Sequence, residues 1–158
     1  MQCQFDQVGE ILDIAAAAGD SVKKMCPGCT ALYFGEMVSP VVYGLLLLKE
    51  YDVFMQRGLI NPGGEKTEHF WVEVYFEGEA FILDAAAGCF EDGGGKGSDV
   101  LFMPKDEACQ MYGYDQCTDR DWVPGDCDRG VLRSALDKLG INKEVDAILE
   151  EISENNDI

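Results

Sequence analysis

His69 is the only histidine among the 158 residues, so any imidazole chemistry in this chain runs through it. It opens the stretch His69-Phe70-Trp71-Val72-Glu73-Val74-Tyr75-Phe76, in which Phe70, Val72, Val74 and Phe76 make one wholly apolar face. That alternation predicts a strand with one side against a core. His69, Trp71, Glu73 and Tyr75 share the other face. Glu77-Gly78 reads as a two-residue turn, and Glu79 to Asp84 as the returning strand. With that turn, paired residue numbers sum to 155 and Trp71 lies opposite Asp84. Asp84 then sits diagonal to His69 on the same face, roughly 7–8 Å away at the Cα. A carboxylate there can accept the Nδ1 proton, fix the tautomer and stabilise an imidazolium. An odd-numbered loop would turn Asp84 to the opposite face, so the pairing depends on the turn length. The simplest role for a lone histidine on such a strand is a surface residue. Asp84 and a cysteine upstream argue for more.

That cysteine is Cys29. Cys26-Pro27-Gly28-Cys29 precedes a helical candidate from about Cys29 to Val38, which Ser39-Pro40 is expected to stop. A thiol at a helix N-terminus meets the positive end of the macrodipole and free backbone N–H groups, which favour thiolate. The same N–H groups can stabilise an oxyanion on a substrate carbonyl. Thiolate, imidazole and carboxylate together suit acyl transfer, in which Cys attacks, His moves the proton and Asp orients. Cys29 is preferred over Cys26 because Thr30-Ala31-Leu32 follow it directly, whereas Pro27-Gly28 separate Cys26 from the helix; Cys26 stays open as an alternative nucleophile.

The order and spacing resemble the transglutaminase-like branch of the papain-like cysteine hydrolases. There a helix-borne Cys is followed by a strand reading His-x-Trp-Val-Glu-Val and then by a strand ending in Asp. Here His69 follows Cys29 by 40 residues and Asp84 follows His69 by 15. The match covers residues 26–87, and the hairpin is its most specific part, with His69, Trp71, Glu73 and Asp84 in the motif positions. The resemblance implies Cys29 as nucleophile, His69 as general base and acid, and Asp84 as orienting carboxylate. The implied activity is amide hydrolysis, by a peptidase or deamidase, on a protein or peptide, ahead of transamidation. After Asp84 the chain reads Ala85-Ala86-Ala87-Gly88 where family members usually have Pro and Thr. Such chemistry needs no cofactor.

The expected fold is α+β, a single papain-like or transglutaminase-like domain over residues 1–158. Its N-terminal helices pack on a small antiparallel sheet, and a C-terminal helical extension covers about 128–154. Val8, Ile11, Leu12 and Ala15 predict a helix over 7–18 ended by Gly19-Asp20. Residues 41–50 are apolar and ambiguous, and Asp52 to Gln56 reads as a short strand closing at Arg57-Gly58. Gly88 through Gly97 is a loop, and 100–127 reads as irregular. Two closing helices are expected over Arg129–Leu139 and Lys143–Ile152.

Thirty acidic residues against 12 basic ones leave a net charge of −18. Such a surface repels phosphate backbones and anionic lipid, which argues against nucleic-acid and membrane partners and for a basic protein or peptide. Trp71 is a candidate substrate contact, although covering a helix is its simpler role, and Glu73 is expected to be solvated. No stretch is long and apolar enough to span a bilayer. Met1-Gln2-Cys3-Gln4-Phe5-Asp6 carries no secretory signal pattern. A cytoplasmic chain with free thiols is therefore expected.

Other functions stay open beside the enzyme. Cys26 and Cys29 have the spacing of half a zinc site, which Cys109, Cys117 and Cys127 would complete at loose intervals. Cys-Pro-Gly-Cys opening a helix is similar to a redox dithiol. An acidic, non-catalytic interaction or inhibitor protein with a degenerate papain-like fold is the remaining alternative.

Overall fold

The computed structural model describes residues 4–28, 30–61, 66–86 and 100–156. In chain order these form α1 (Gln4–Met25), α2 (Ala31–Leu48), β1 (Asp52–Ile60), β2 (Thr67–Phe76), β3 (Glu79–Asp84), β4 (Leu101–Pro104), α3 (Lys105–Tyr112), β5 (Asp115–Arg120), α4 (Arg129–Lys138) and α5 (Val145–Asn156). A short 3₁₀ turn over Pro124–Asp126 precedes α4. The class is α+β, as expected. The five strands form one antiparallel sheet in the order β4-β3-β2-β1-β5.

The two N-terminal helices are longer than their local signals predicted. Ile11, Ile14, Ala15, Ala18 and Val22 are all buried on one side of α1, and that stripe carries the helix past Gly19 to Met25. Lys23 and Lys24 sit in its last turn, where the dipole favours cations. Pro40 does not end α2. A proline inside a helix lacks the N–H for one bond and crowds the carbonyl four residues earlier, but burial of Phe34, Val38, Val41, Val42, Leu45 and Leu46 outweighs that cost. The indole of Trp122 donates to the Pro40 carbonyl at 3.1 Å. The ambiguous 41–50 stretch is thus the second half of this helix up to Leu48, with Lys49 as its C-cap.

The hairpin matches its expected register. Val72 pairs with Leu83 and Phe76 with Glu79, every pair summing to 155. Glu77 and Gly78 have φ of 54° and 80°, the paired positive values that suit a tight hairpin to the right-handed strand twist. Strand β1 does not close at Arg57-Gly58 but runs on to Ile60, pairing Gly58 with His69.

One face of the sheet carries the main core. Val53, Met55, Val72, Val74, Phe76 and Leu83 join the buried faces of α1, α2, α4 and α5 there. The C-terminal helices belong to this core through Leu132, Leu136, Ile148 and Ile152, and Ser21 Oγ ties α1 to Ser134 Oγ of α4 at 2.8 Å. A second, smaller cluster of Ile60, Trp71, Ile82, Ala108 and Tyr114 covers the opposite face.

That second cover comes from the stretch expected to be irregular. Residues 101–120 instead form β4, α3 and β5. These elements are four, eight and six residues long, and β5, Asp-Gln-Cys-Thr-Asp-Arg, is a polar edge strand without apolar alternation. The expected Gly-rich loop over 88–97 lies outside the described residues.

Leu136→Ala deletes a side chain with no exposed surface between α4 and the rest of the main core. Urea unfolding is expected to show a loss of about 2–5 kcal/mol, and a loss below about 0.5 kcal/mol would contradict α4 as part of that core.

Candidate active site

The two-residue turn puts His69 and Asp84 on the face of the sheet away from α1 and α2, and there they meet. His69 Nε2 lies 2.7 Å from Asp84 Oδ2. The ring has 0% and the carboxylate 1% of its surface exposed, so the contact is shielded from water that would otherwise compete for it. The partner nitrogen is Nε2, not the Nδ1 that strand pairing alone suggested. The reason is the approach: Asp84 is diagonal to His69, two residue pairs along the strands, where Nε2 is the ring nitrogen it meets.

Asp84 has two further donors. The Ala86 backbone N–H gives Oδ1 a hydrogen bond of 2.8 Å, and the Tyr114 hydroxyl donates to Oδ2 at 2.6 Å. Burial first, and then the charge of Asp84, pushes the Tyr114 phenol above its ordinary range, so it remains a protonated donor.

Tyr114 was not recognisable as a site residue from sequence. It stands 30 residues beyond Asp84, in a stretch with no periodic pattern, and only the chain reversal after α3 brings it back. Gly113 makes that reversal possible with φ of +71°. A Cβ built there would lie 2.8 Å from the Cβ of Asn61, so both conformation and space require glycine. A glycine ending a short helix before an aromatic residue is the one signal that could have marked the position.

Trp71 is not placed as a substrate contact. It is 1% exposed, stacks on His69 with ring centroids 6.3 Å apart, and meets Tyr114 edge-on at 4.9 Å. It backs the imidazole instead of facing solvent, because the second sheet face, expected to be half-wet, lies under α3 and Tyr114. For the same reason Glu73 is not solvated. It is 4% exposed and pairs with Lys105 at the start of α3, Oε2 to Nζ being 3.3 Å.

Cys29, the expected nucleophile, lies outside the described residues. A helix does follow it, but it begins at Ala31 and not at Cys29, with Thr30 as N-cap and its side chain accepting from the Tyr33 N–H at 3.2 Å. Four residues into α2, Gly35 packs so closely on β2 that a Cβ there would lie 3.1 Å from the Phe70 carbonyl oxygen. At 1.5 Å per residue, α2 begins roughly 6 Å along its axis from this contact with the neighbour of His69. On α1, Gly19 packs on Ala85, the neighbour of Asp84. α2 thus crosses the sheet, and α1 meets the chain just after β3, at the end that holds the His69–Asp84 pair.

The cysteines divide into different states. Cys26 is in a disulfide, which overturns the expectation of free thiols at that residue and removes it as alternative nucleophile or zinc thiolate in this state. The expected cytoplasmic location loses the support it drew from free thiols. Cys109 and Cys127 are not disulfide-bonded, so the pooling of Cys109 and Cys127 with Cys26 in a metal site fails at Cys26. Among the described residues no group of three His, Cys, Asp or Glu could hold a metal ion, and no helix is long and apolar enough to cross a membrane. No protein-family model, curated protein or solved structure matches the chain.

Two measurements check this geometry. Asp84→Ala leaves the Tyr114 hydroxyl, the Ala86 N–H and Nε2 facing a void, and stability is expected to fall by about 3–5 kcal/mol in urea. Asp84→Asn, which keeps an acceptor, is expected to lose clearly less, and equal losses would contradict the assigned bonds. Burial pushes the Cys127 thiol up to about 12. The folded thiol therefore keeps its proton where the unfolded one ionises, and the stability this supplies, full below about pH 9, is lost as pH climbs toward 12. Peptide mapping after iodoacetamide at pH 8 should leave Cys127 unmodified in the folded chain; rapid native-state labelling would refute its burial.

Proposed function

We propose that this chain is a cysteine-dependent acyl-transfer enzyme of transglutaminase-like, papain-like type, working as an amide hydrolase on protein or peptide substrates. The observation that carries the reading is the buried 2.7 Å contact between His69 Nε2 and Asp84 Oδ2, at the end of the sheet where α2 begins.

In this mechanism Nε2 donates to Asp84, so Nδ1 is the basic nitrogen that takes the Cys29 proton. The thiolate attacks the amide carbon and the C=O electrons move onto oxygen. Imidazolium then returns the proton through Nδ1 to the leaving nitrogen as the C–N bond breaks. Water, deprotonated by the same nitrogen, hydrolyses the thioester and restores the thiol. The first-turn N–H groups of α2 are the donors nearest in sequence for the oxyanion. His69 points to the sheet face opposite Phe70, so the reading requires the Cys29 thiol to reach the ring around the end of β2. A net charge of −18 favours basic segments as substrates.

Complete burial of His69 and Asp84 favours a second reading, in which the pair only braces the sheet of an acidic interaction protein. The two are separated by reactivity. In a phosphine reductant at pH 7, Cys29 is expected to alkylate at least about tenfold faster than a free cysteine, as a depressed thiol pKa allows. His69→Ala should remove that advantage, and Cys29→Ala should abolish turnover of a fluorogenic peptide library. Ordinary reactivity at Cys29, unchanged by His69→Ala, would sink the enzyme reading, and partner binding retained by Cys29→Ala without turnover by the parent would support the second.

A further inference from the structure

We propose that Tyr114 is a positioning residue that fixes the tautomer of His69 by occupying one acceptor site of Asp84. Its value for catalysis rests on the reading above, whereas its effect on the imidazole does not.

Both Tyr114 and His69 address the same carboxylate oxygen, Oδ2, at 2.6 and 2.7 Å. Oδ1 is held by the Ala86 N–H. The two outer bonds stop the carboxylate from rotating, and they leave Oδ2 facing the ring as an acceptor. A neutral imidazole has one N–H and one basic nitrogen. With the carboxylate held in this orientation, the N–H lies at Nε2 and the basic nitrogen is Nδ1; a carboxylate free to rotate away loses that hold on the ring. Tyr114 can do this because its own position is fixed. Its ring is 4% exposed and braced edge-on by Trp71. Its backbone follows the Gly113 reversal, which the Asn61 N–H clamps by donating to the Tyr112 carbonyl at 2.7 Å. With the hydroxyl removed, the carboxylate is held from one side only, and the tautomer is selected by the His69 contact alone.

A single histidine makes this directly measurable by ¹⁵N NMR of the imidazole. The parent chain is expected to show a protonated Nε2, a pyridine-like Nδ1, and an NOE between the Nε2 proton and the Tyr114 hydroxyl proton. Tyr114→Phe keeps the ring and should give averaged nitrogen shifts that report a tautomer mixture. Alkylation of Cys29 should slow roughly ten- to hundredfold in this variant, the scale of one lost hydrogen bond to a charged acceptor. Unchanged parent-like shifts in a folded Tyr114→Phe chain would overturn the proposal, whatever its stability. Should that variant fail to fold, the parent spectrum decides, because an Nδ1–H tautomer or the absence of that NOE overturns it equally. Ordinary reactivity of Cys29 in the parent, with the tautomer response to Tyr114→Phe intact, would remove the enzyme reading and leave the positioning role standing.

Discussion

A buried hydrogen bond between an imidazole and a carboxylate constrains everything around it. Neither His69 nor Asp84 could be held at 0% and 1% exposure alone, because an uncompensated buried carboxylate costs several kcal/mol. Their meeting requires that β2 and β3 pair in one register. A slip of one residue would send Asp84 to the helical face, among Val72, Val74 and Leu83. The register is set by Glu77-Gly78, where both residues adopt positive φ. Glycine accepts this without strain, and Glu77 occupies a conformation rare for a side chain of its kind. A solvent-exposed turn thus determines a buried site about 20 Å away along the strands.

The sheet has two covers with different tasks. The helical side buries most of the aliphatic surface and supplies the bulk of the hydrophobic stabilisation. The other side is covered by short elements, α3 and the Tyr114 segment, over a cluster of five buried residues. That thinner layer removes water from His69 and gives Asp84 its second side-chain donor. The Glu73–Lys105 pair anchors α3 to the central strand from the same side. Where a charge is buried under this layer, a partner of opposite charge or a proton donor comes with it.

Legibility from sequence follows the range of the forces involved. The hairpin could be read because alternation and turn chemistry act within a dozen residues, and they place Asp84 correctly. The ring nitrogen could not, since it depends on the angle of a diagonal contact and not on pairing. Helix ends were underestimated at Gly19 and Pro40, where tertiary burial overrides a local breaker. Tyr114 and β5 were illegible for a further reason. A polar edge strand and an eight-residue helix carry no periodic signal, and their contacts reach across 32 residues at Lys105–Glu73 and 65 at Met55–Arg120. The burial of Trp71 and Glu73 follows from the same cover and was hidden with it.

The start of α2 is positioned by packing rather than by its cap. Thr30 defines where the helix begins, but a cap cannot choose where in space that beginning lies. Gly35 does, because a Cβ there would lie 3.1 Å from the Phe70 carbonyl oxygen and push helix and strand apart by a few tenths of an ångström. A larger residue there would lift the N-terminal turns away from β2, and dipole and N–H groups lose their effect within about one turn of distance. The apolar half of α2 beyond Pro40 is gripped by α5 and the sheet, so the helix cannot tilt to compensate. Helix start and the strand that carries the imidazole are therefore coupled through one backbone contact.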